Sequence, residues 1–282
     1  MGAGTRLSVG RYDMCRAAGA GHLEVLQWAW EHDCPWDSET CGDAAKGGHL
    51  EVLQFAWGCG CPLHGMICDY AAARGRLDIL QWAVEHGSEI HGPEHTCAFA
   101  AQGGHLAVLQ WLREQDCRWD ARTCAHAAEG GHLEGLQWAR AHDCPWDAET
   151  CRGAAGRGHL EVLRWARGHH CPWDCLTCAD AAEGGHLEVL KWAHEHECPW
   201  VDFVPCAHAA KGGHLEVLQW LRQQGYQWNW ATCSRAAEGG HLEVLKWARE
   251  HDCPWDARTC AAAAQGGHLE LLMWARCKGC PW

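Results

Sequence analysis

Phenylalanine and tyrosine are nearly missing from this chain of 282 residues, with three of each. Aromatic packing therefore falls to tryptophan, of which there are 20. No run of about 18 apolar residues occurs, so no segment is read as a membrane-spanning helix. The first residues, MGAGTRLSVGRYD, lack the apolar stretch of a secretory signal. Arg6 stands where a myristoylation signal needs Ser or Thr. Basic residues are short as well: 23 Lys and Arg face 36 Asp and Glu, a net charge of −13. Neutralising phosphates takes clustered Lys and Arg, so no nucleic-acid partner is expected. The 22 histidines would reverse the net sign once protonated, somewhat below neutral pH. HExxH, GxSxG and phosphate-loop motifs are all missing, so neither catalysis nor a cofactor is expected. These absences describe an intracellular, soluble protein of the cytoplasm or nucleus.

What the chain does have is 21 cysteines, 33 glycines and an internal repeat. A Gly-His-Leu marker places histidine at positions 22, 49, 105, 132, 159, 186, 214, 241 and 268, and Arg76 fills the slot once. The spacings are 27, 27, 29, 27, 27, 27, 28, 27 and 27, giving ten units over residues 12–282 behind a tail at 1–11. Eight positions before the marker stands Cys in nine of ten units, and Met14 in the first. Twelve positions after it stands Cys in eight of ten. Only Cys15, Cys59, Cys175 and Cys277 fall outside both ladders. Tryptophan forms two ladders of its own, six positions after the marker (Phe55 the exception) and after the proline of each CPW. An odd cysteine count in a reducing compartment argues against a disulfide framework.

One unit reads as two short helices. Asp256 after CPW is a preferred N-cap. ARTCAAAA follows, with high helix propensity and small side chains that let a second helix approach. Gly266-Gly267 turns the chain. HLELLMWAR then forms a second helix with Glu270 at its positive end and Arg or His at its negative end in many units. Its apolar stripe is too wide for a surface helix and suits one flanked by neighbours. Stacking identical units buries a continuous core, which is a solenoid. Each fully buried Trp would remove about 150–250 Å² from water, so packing alone is reason enough for the tryptophan ladders.

The stretch TCAHAAEGGHLEGLQWARAHDCPW, Thr123 to Trp146, resembles the ankyrin repeat. Ala127-Ala128 and Gly131-His132-Leu133-Glu134 match the family's pattern, and Cys124 occupies the slot of its buried first-helix Leu. The units are about six residues shorter than the usual 33, and the missing part corresponds to the β-hairpin. The resemblance is to a short, Cys- and Trp-rich variety found in large DNA viruses and protists. It implies an all-α solenoid of about ten helix-turn-helix repeats, with reduced or absent β-hairpins, that serves as a non-catalytic protein-interaction scaffold. An adaptor for ubiquitin ligation is the second reading within that class.

A rival class is a zinc-binding or thiol-reactive protein. Regular cysteines one repeat apart cannot share a metal, because packed helices sit about 8–10 Å apart while Zn–S bonds are about 2.3 Å. Cross-ladder pairs such as Cys253 and Cys260 have room to approach. In HHCPWDCLTC, residues 169–178, Cys175 joins Cys171 and Cys178 beside His169 and His170, the right ligand types for zinc. Cys277 and Cys280 form a weaker CxxC. Packing is the favoured reading of both, and no metal is assigned. The marker histidine is expected to bond local backbone.

In a solenoid, repeated positions hold the fold and variable positions meet partners. Six positions before the marker stand Arg16, Asp43, Tyr70, Phe99, His126, Gly153, Asp180, His208, Arg235 and Ala262. Aromatic anchors with a charged rim suit a binding surface, so Asp43, Tyr70, Phe99, His126, Asp180, His208 and Arg235 are candidates for contact with a protein partner. Eight positions after the marker, Trp30, Trp57 and Val84 give way to Arg or His. Trp30 and Trp57 are further candidates, as exposed tryptophans would mark a contact patch; the plainer reading packs them against the N-terminal tail or Phe55. Breaks near 87–96 and 201–205, the first with a two-residue insertion in HGPEHT, predict weak packing and a bend. A monomer without membrane contact is expected.

Overall fold

The structure is a computed structural model, and it describes residues 11–34, 37–63, 66–90 and 92–282. Residues 1–10 of the tail, Trp36 of the CPW ladder and His91 of the first break lie outside the described residues. The described residues form twenty helices and no strand. In chain order these are α1 (Arg11–Gly19), α2 (Leu23–Glu31), α3 (Ser38–Gly47), α4 (Leu50–Gly58), α5 (Met66–Ala73), α6 (Leu77–Glu85), α7 (Pro93–Gln102), α8 (Leu106–Glu114), α9 (Ala121–Glu129) and α10 (Leu133–Ala141). They continue as α11 (Ala148–Gly156), α12 (Leu160–Gly168), α13 (Cys175–Glu183), α14 (Leu187–Glu195), α15 (Val204–Gly212), α16 (Leu215–Gln223), α17 (Trp230–Glu238), α18 (Leu242–Glu250), α19 (Ala257–Gln265) and α20 (Leu269–Cys277). Odd helices are the first, and even helices the second, of each repeat. The chain is an all-α solenoid of helical repeats.

The chain divides into two compact units, one of residues 1–123 with 134–144, the other of 124–133 with 145–282. In the first, α1 packs on α3, α3 on α5 and α5 on α7, each with its own second helix behind it. In the second, α11, α13, α15, α17 and α19 pack in the same succession.

First helices begin where a carboxylate or amide satisfies free N–H groups. Asp147 accepts from Glu149, Asn229 from Ala231 and Asp256 from Arg258, while Asp174 and Thr177 form a reciprocal capping box. At the two breaks the cap changes. α7 is entered through Gly92, in the left-handed region at φ 61°, with Pro93 behind it, and α15 through Phe203 with Pro205. The insertion is absorbed in that entry: α5 and α7 still pack directly, and Thr96 donates to Asp69 at 2.5 Å.

The buried face is narrow and repeated. First helices bury the Cys ladder and an Ala pair, such as Cys178 with Ala181 and Ala182. Second helices bury an aliphatic pair and a small residue, such as Val189, Leu190 and Ala193. Each buried Leu or Val contributes about 1.5–3 kcal/mol. The tryptophans differ from expectation: none among the described residues is buried. Instead the CPW Trp of one repeat meets the second-helix Trp of the next edge to face, as in Trp146–Trp165, Trp173–Trp192 and Trp228–Trp247, at 5.7–5.8 Å. Such pairs contribute about 0.5–1.5 kcal/mol each beyond their buried area.

Second helices end on a residue with positive φ. Glycine serves at 60, 87, 225 and 279, but Asp33, Asp116, Asp143, His170, Glu197 and Asp252 hold φ of 55–66°. His170, a zinc-ligand candidate in sequence, is thus a helix terminator. The left-handed region costs a non-glycine residue about 1 kcal/mol, so Glu197→Gly is expected to raise stability by about that amount. Urea unfolding reads it out, and a loss of stability would contradict the assignment.

Candidate functional site

The two cysteine ladders meet within the repeats that carry both. Cys41 and Cys61 face each other across the two ladders, their Cα atoms 6.6 Å apart. Cys151 with Cys171, Cys178 with Cys198 and Cys233 with Cys253 hold the same two positions as buried free thiols. The later thiol of each donates to the carbonyl of the residue capping the same repeat: Cys171 to Asp147 at 3.4 Å, Cys198 to Asp174 at 3.6 Å and Cys253 to Asn229 at 3.5 Å. Cys151, Cys178 and Cys233 are each pushed up by the facing thiol and then by burial. Burial pushes the Cys97 and Cys206 thiols up to about 12. Protonated thiols are neither metal ligands nor nucleophiles.

Cys171, Cys175 and Cys178 do not converge on one point. Among the described residues, only Cys15, Asp37 and Glu39 offer three ligand atoms within 4.8 Å of one another. Burial raises the Cys15 thiol, and Asp37 is committed to capping α3, accepting from the Thr40 amide at 3.1 Å. Cys15 escaped the sequence reading because it lies outside both ladders.

The marker histidine does not bond local backbone as expected. Its Nε2–H donates to the last carbonyls of the preceding repeat's first helix: His159 to Glu129 at 3.1 Å, His186 to Gly156 at 3.1 Å and His268 to Glu238 at 3.0 Å. Arg76, in the same slot, instead donates to the Gly48 carbonyl in the turn after α3 and pairs with Asp78 at 2.7 Å. Burial lowers the pKa of His186; the bond to Gly156 opposes this, while His214, His159 and Arg157 add to it. The fold therefore disfavours the imidazolium. That contribution to stability is full above the ordinary histidine pKa of about 6.5 and is lost as pH falls below it. The urea midpoint is expected to fall between pH 7.5 and 5.5, and to fall less in His186→Gln; an equal fall in both would contradict this role.

The variable position on the first helices is half-buried to exposed in both units. In the first, Arg16 is exposed while Asp43, Tyr70 and Phe99 are half-buried, with Lys46 5.8 Å over the Tyr70 ring. In the second, His126, Gly153, Asp180, His208 and Ala262 are half-buried and Arg235 is exposed. Charge is dense here: Arg152 holds Asp180 at 2.9 Å, and Glu183 receives His208 at 2.8 Å and Lys211 at 2.7 Å. Burial alone would raise the Glu183 carboxyl, but Lys211 and His208 outweigh it and hold it below the usual range.

A family model described as "Ankyrin repeats (many copies)" matches residues 68–113. Residues 68–113 carry ankyrin repeats. The matched stretch includes the first break, so the repeats run through that insertion. Among solved structures, the crystal structure of the human ASB11 ankyrin repeat domain is similar, at 19% identity over 57% of this chain and 84% of that one, with a TM-score of 0.45. No curated protein matches the chain in sequence.

Along the helical repeats the second variable stripe is largely structural. Arg113, Arg167, Arg222, Arg249 and Arg276 lie 4.2–4.4 Å over the CPW Trp of their own repeat. Each also donates to the carbonyl twelve after the marker, as Arg113 does to Cys117 at 2.5 Å and Arg222 to Tyr226. Where Leu63 and Ile90 replace that Trp, Trp57 and Val84 replace the Arg. Trp57 meets Trp82 edge to face at 5.7 Å and His86 at 4.7 Å. Trp57 and Trp30 both stay about two-fifths exposed.

Proposed function

We propose that this chain binds another protein through the variable position of its first helices, without catalysis of its own. Ankyrin repeats generally mediate protein–protein interaction. One observation carries the choice of surface: along the stack, the position six before the marker changes from residue to residue while remaining accessible, and the buried positions around it repeat. Tyr70 and Phe99 supply rigid aromatic area in the first unit. Asp180, His208 and Arg235 supply charge in the second, and Asp43 and His126 extend the two sets. Aromatic anchors with a polar surround are what binding energy concentrates on. Trp30 and Trp57 form the competing patch, and the aromatic packing of Trp57 within the stack makes it the lesser one.

A photoreactive phenylalanine analogue tests this placement when installed singly at 70, 208 or 141 in tagged protein made in the source cells. Position 141 carries the exposed Ala141 on a second helix. Adducts of one discrete mass at 70 or 208, without that adduct at 141, are expected. The same adduct from 141 alone would reject the first-helix surface.

A further inference from the structure

A cleft of about 360 Å³ in the second unit lies between α12, the CPW segment that follows it and α14. It is lined by Arg164, Arg167, Gly168, Trp173, Trp192 and His196. The same groove recurs along the second helices, but elsewhere it carries carboxylates. Glu250 and Asp252 line it beside α18, and Glu114 and Asp143 line it in the first unit. Among the described residues no carboxylate lines the α12–α14 cleft, although Glu195 and Glu197 flank His196 in sequence. Two further exchanges set it apart. Arg164 stands where Gln219 and Gln110 line the other clefts, and Gly168 where Gln223 and Glu114 do. The cleft therefore gains a cation and loses a long side chain.

The groups that line it are held in place. Arg167 lies 4.2 Å over the Trp173 ring and donates an N–H to the Cys171 carbonyl. These contacts fix the guanidinium while the rest of its donor fork stays available. Arg164, three residues earlier, shares that face of α12. It pairs with Glu161 at 3.1 Å, the two side chains 48% and 78% exposed. An exposed pair of this kind contributes little, so Arg164 is free to exchange it for a ligand. His196 stacks on Trp192 at 4.3 Å, and its Nδ1–H donates to the Trp192 carbonyl at 2.8 Å. The two indoles meet edge to face at 5.8 Å. Each indole already carries a guanidinium or an imidazole as well as its neighbouring indole. The cleft thus offers a ligand charge and N–H donors rather than a stacking surface.

We infer that this cleft binds a phosphate group. Guanidinium forks match the oxygens of carboxylates and phosphates alike, so the amount of charge decides between them. A phosphate monoester carries about −1.5 to −2 and three acceptor oxygens, enough to engage both arginines. A single carboxylate brings one negative charge and leaves one arginine unmatched. In a chain of net charge −13, two arginines with no carboxylate in the lining are a local exception. A free phosphate ion and a phosphorylated side chain of another protein share this chemistry. The site lies on the second helices and does not rest on the first-helix binding surface.

Titration calorimetry of the 282-residue chain at low ionic strength tests the proposal. The probes are inorganic phosphate, phenyl phosphate, succinate, and a short phosphoserine peptide with its unphosphorylated form. Phenyl phosphate is expected to bind at one site, and succinate and the unphosphorylated peptide far more weakly. Arg164→Gln introduces the residue that Gln219 already places at this position in another repeat, so the fold is expected to keep its helicity. It should weaken phenyl phosphate about tenfold, the loss of a charge-assisted hydrogen bond. Gly168→Gln, which restores the side chain found at Gln223, should weaken it as well. Lys246→Gln removes a cation from the same position of α18 and should leave binding unchanged. Tighter binding of the phosphopeptide than of inorganic phosphate supports the site with a phosphorylated protein as its ligand; equal binding supports it with free phosphate. A wild type that shows no saturable binding of any phosphate probe overturns the inference. So does succinate binding as tightly as phenyl phosphate, or an equal loss in Arg164→Gln and Lys246→Gln.

Discussion

Gly158→Ala is expected to destabilise the second unit by about 2–3 kcal/mol, from left-handed strain and a lost inter-repeat hydrogen bond together. Gly158 lies at φ 78°, and an added Cβ would fall 2.6 Å from Nδ1 of His186. That ring cannot retreat without losing its bond to the Gly156 carbonyl at 3.1 Å. A small change in a turn thus breaks the link between two repeats. Gly168→Ala is the control. Gly168 ends α12 with open space around it and no positive φ, so alanine there should leave stability unchanged or raise it by up to about 1 kcal/mol. Urea unfolding gives the totals, and amide exchange should place the Gly158→Ala loss in α11–α14. Equal effects at both glycines would remove the histidine link from the account.

Cys178→Ser is expected to cost about 1–3 kcal/mol, because a hydroxyl replaces a thiol in an apolar, fully enclosed site. Cys178 is buried against Cys198, whose own thiol reaches the Asp174 carbonyl at 3.6 Å. Cys175→Ala, at a half-buried position opening α13, is expected to change stability by less than about 0.5 kcal/mol. A chelator should alter neither result. A zinc site built on Cys171, Cys175 and Cys178 demands the opposite: Cys175→Ala would release metal and destabilise the repeat, and a chelator would mimic it. Unfolding of both variants with and without chelator separates a packing role from a metal one.

Much of this architecture is legible in the 27-residue spacing because each repeat solves the same local problem. Asp or Asn after CPW, the small first-helix face and the glycine turn are rules of backbone satisfaction that act within a few residues. They appear in the structure at Asp174, Cys178 and Gly185. The contacts that were misread are those made between repeats. Helical periodicity shows which side of α12 Trp165 occupies. It does not show that Trp165 is held edge to face by Trp146, half open to solvent, rather than enclosed. The partner of His186 is 30 residues away, beyond any local rule of helix entry. The switch from Trp57 and Val84 to Arg was visible as a pattern. That Arg113 lies over the indole of Trp119 becomes clear only in the structure. The candidate partner-binding residues had the weakest signal, because a variable position announces only that the fold does not dictate it.

The most direct test of the central claim compares affinity purifications from the source cells, read by mass spectrometry. The tagged wild type is set against Tyr70→Ala/Phe99→Ala/His126→Ala and against Trp30→Ser/Trp57→Ser, each first shown to keep its helicity and urea midpoint. The account predicts a partner that is lost in the first-helix variant and kept in the tryptophan variant. A partner kept in the folded first-helix variant and lost in the tryptophan variant would contradict it.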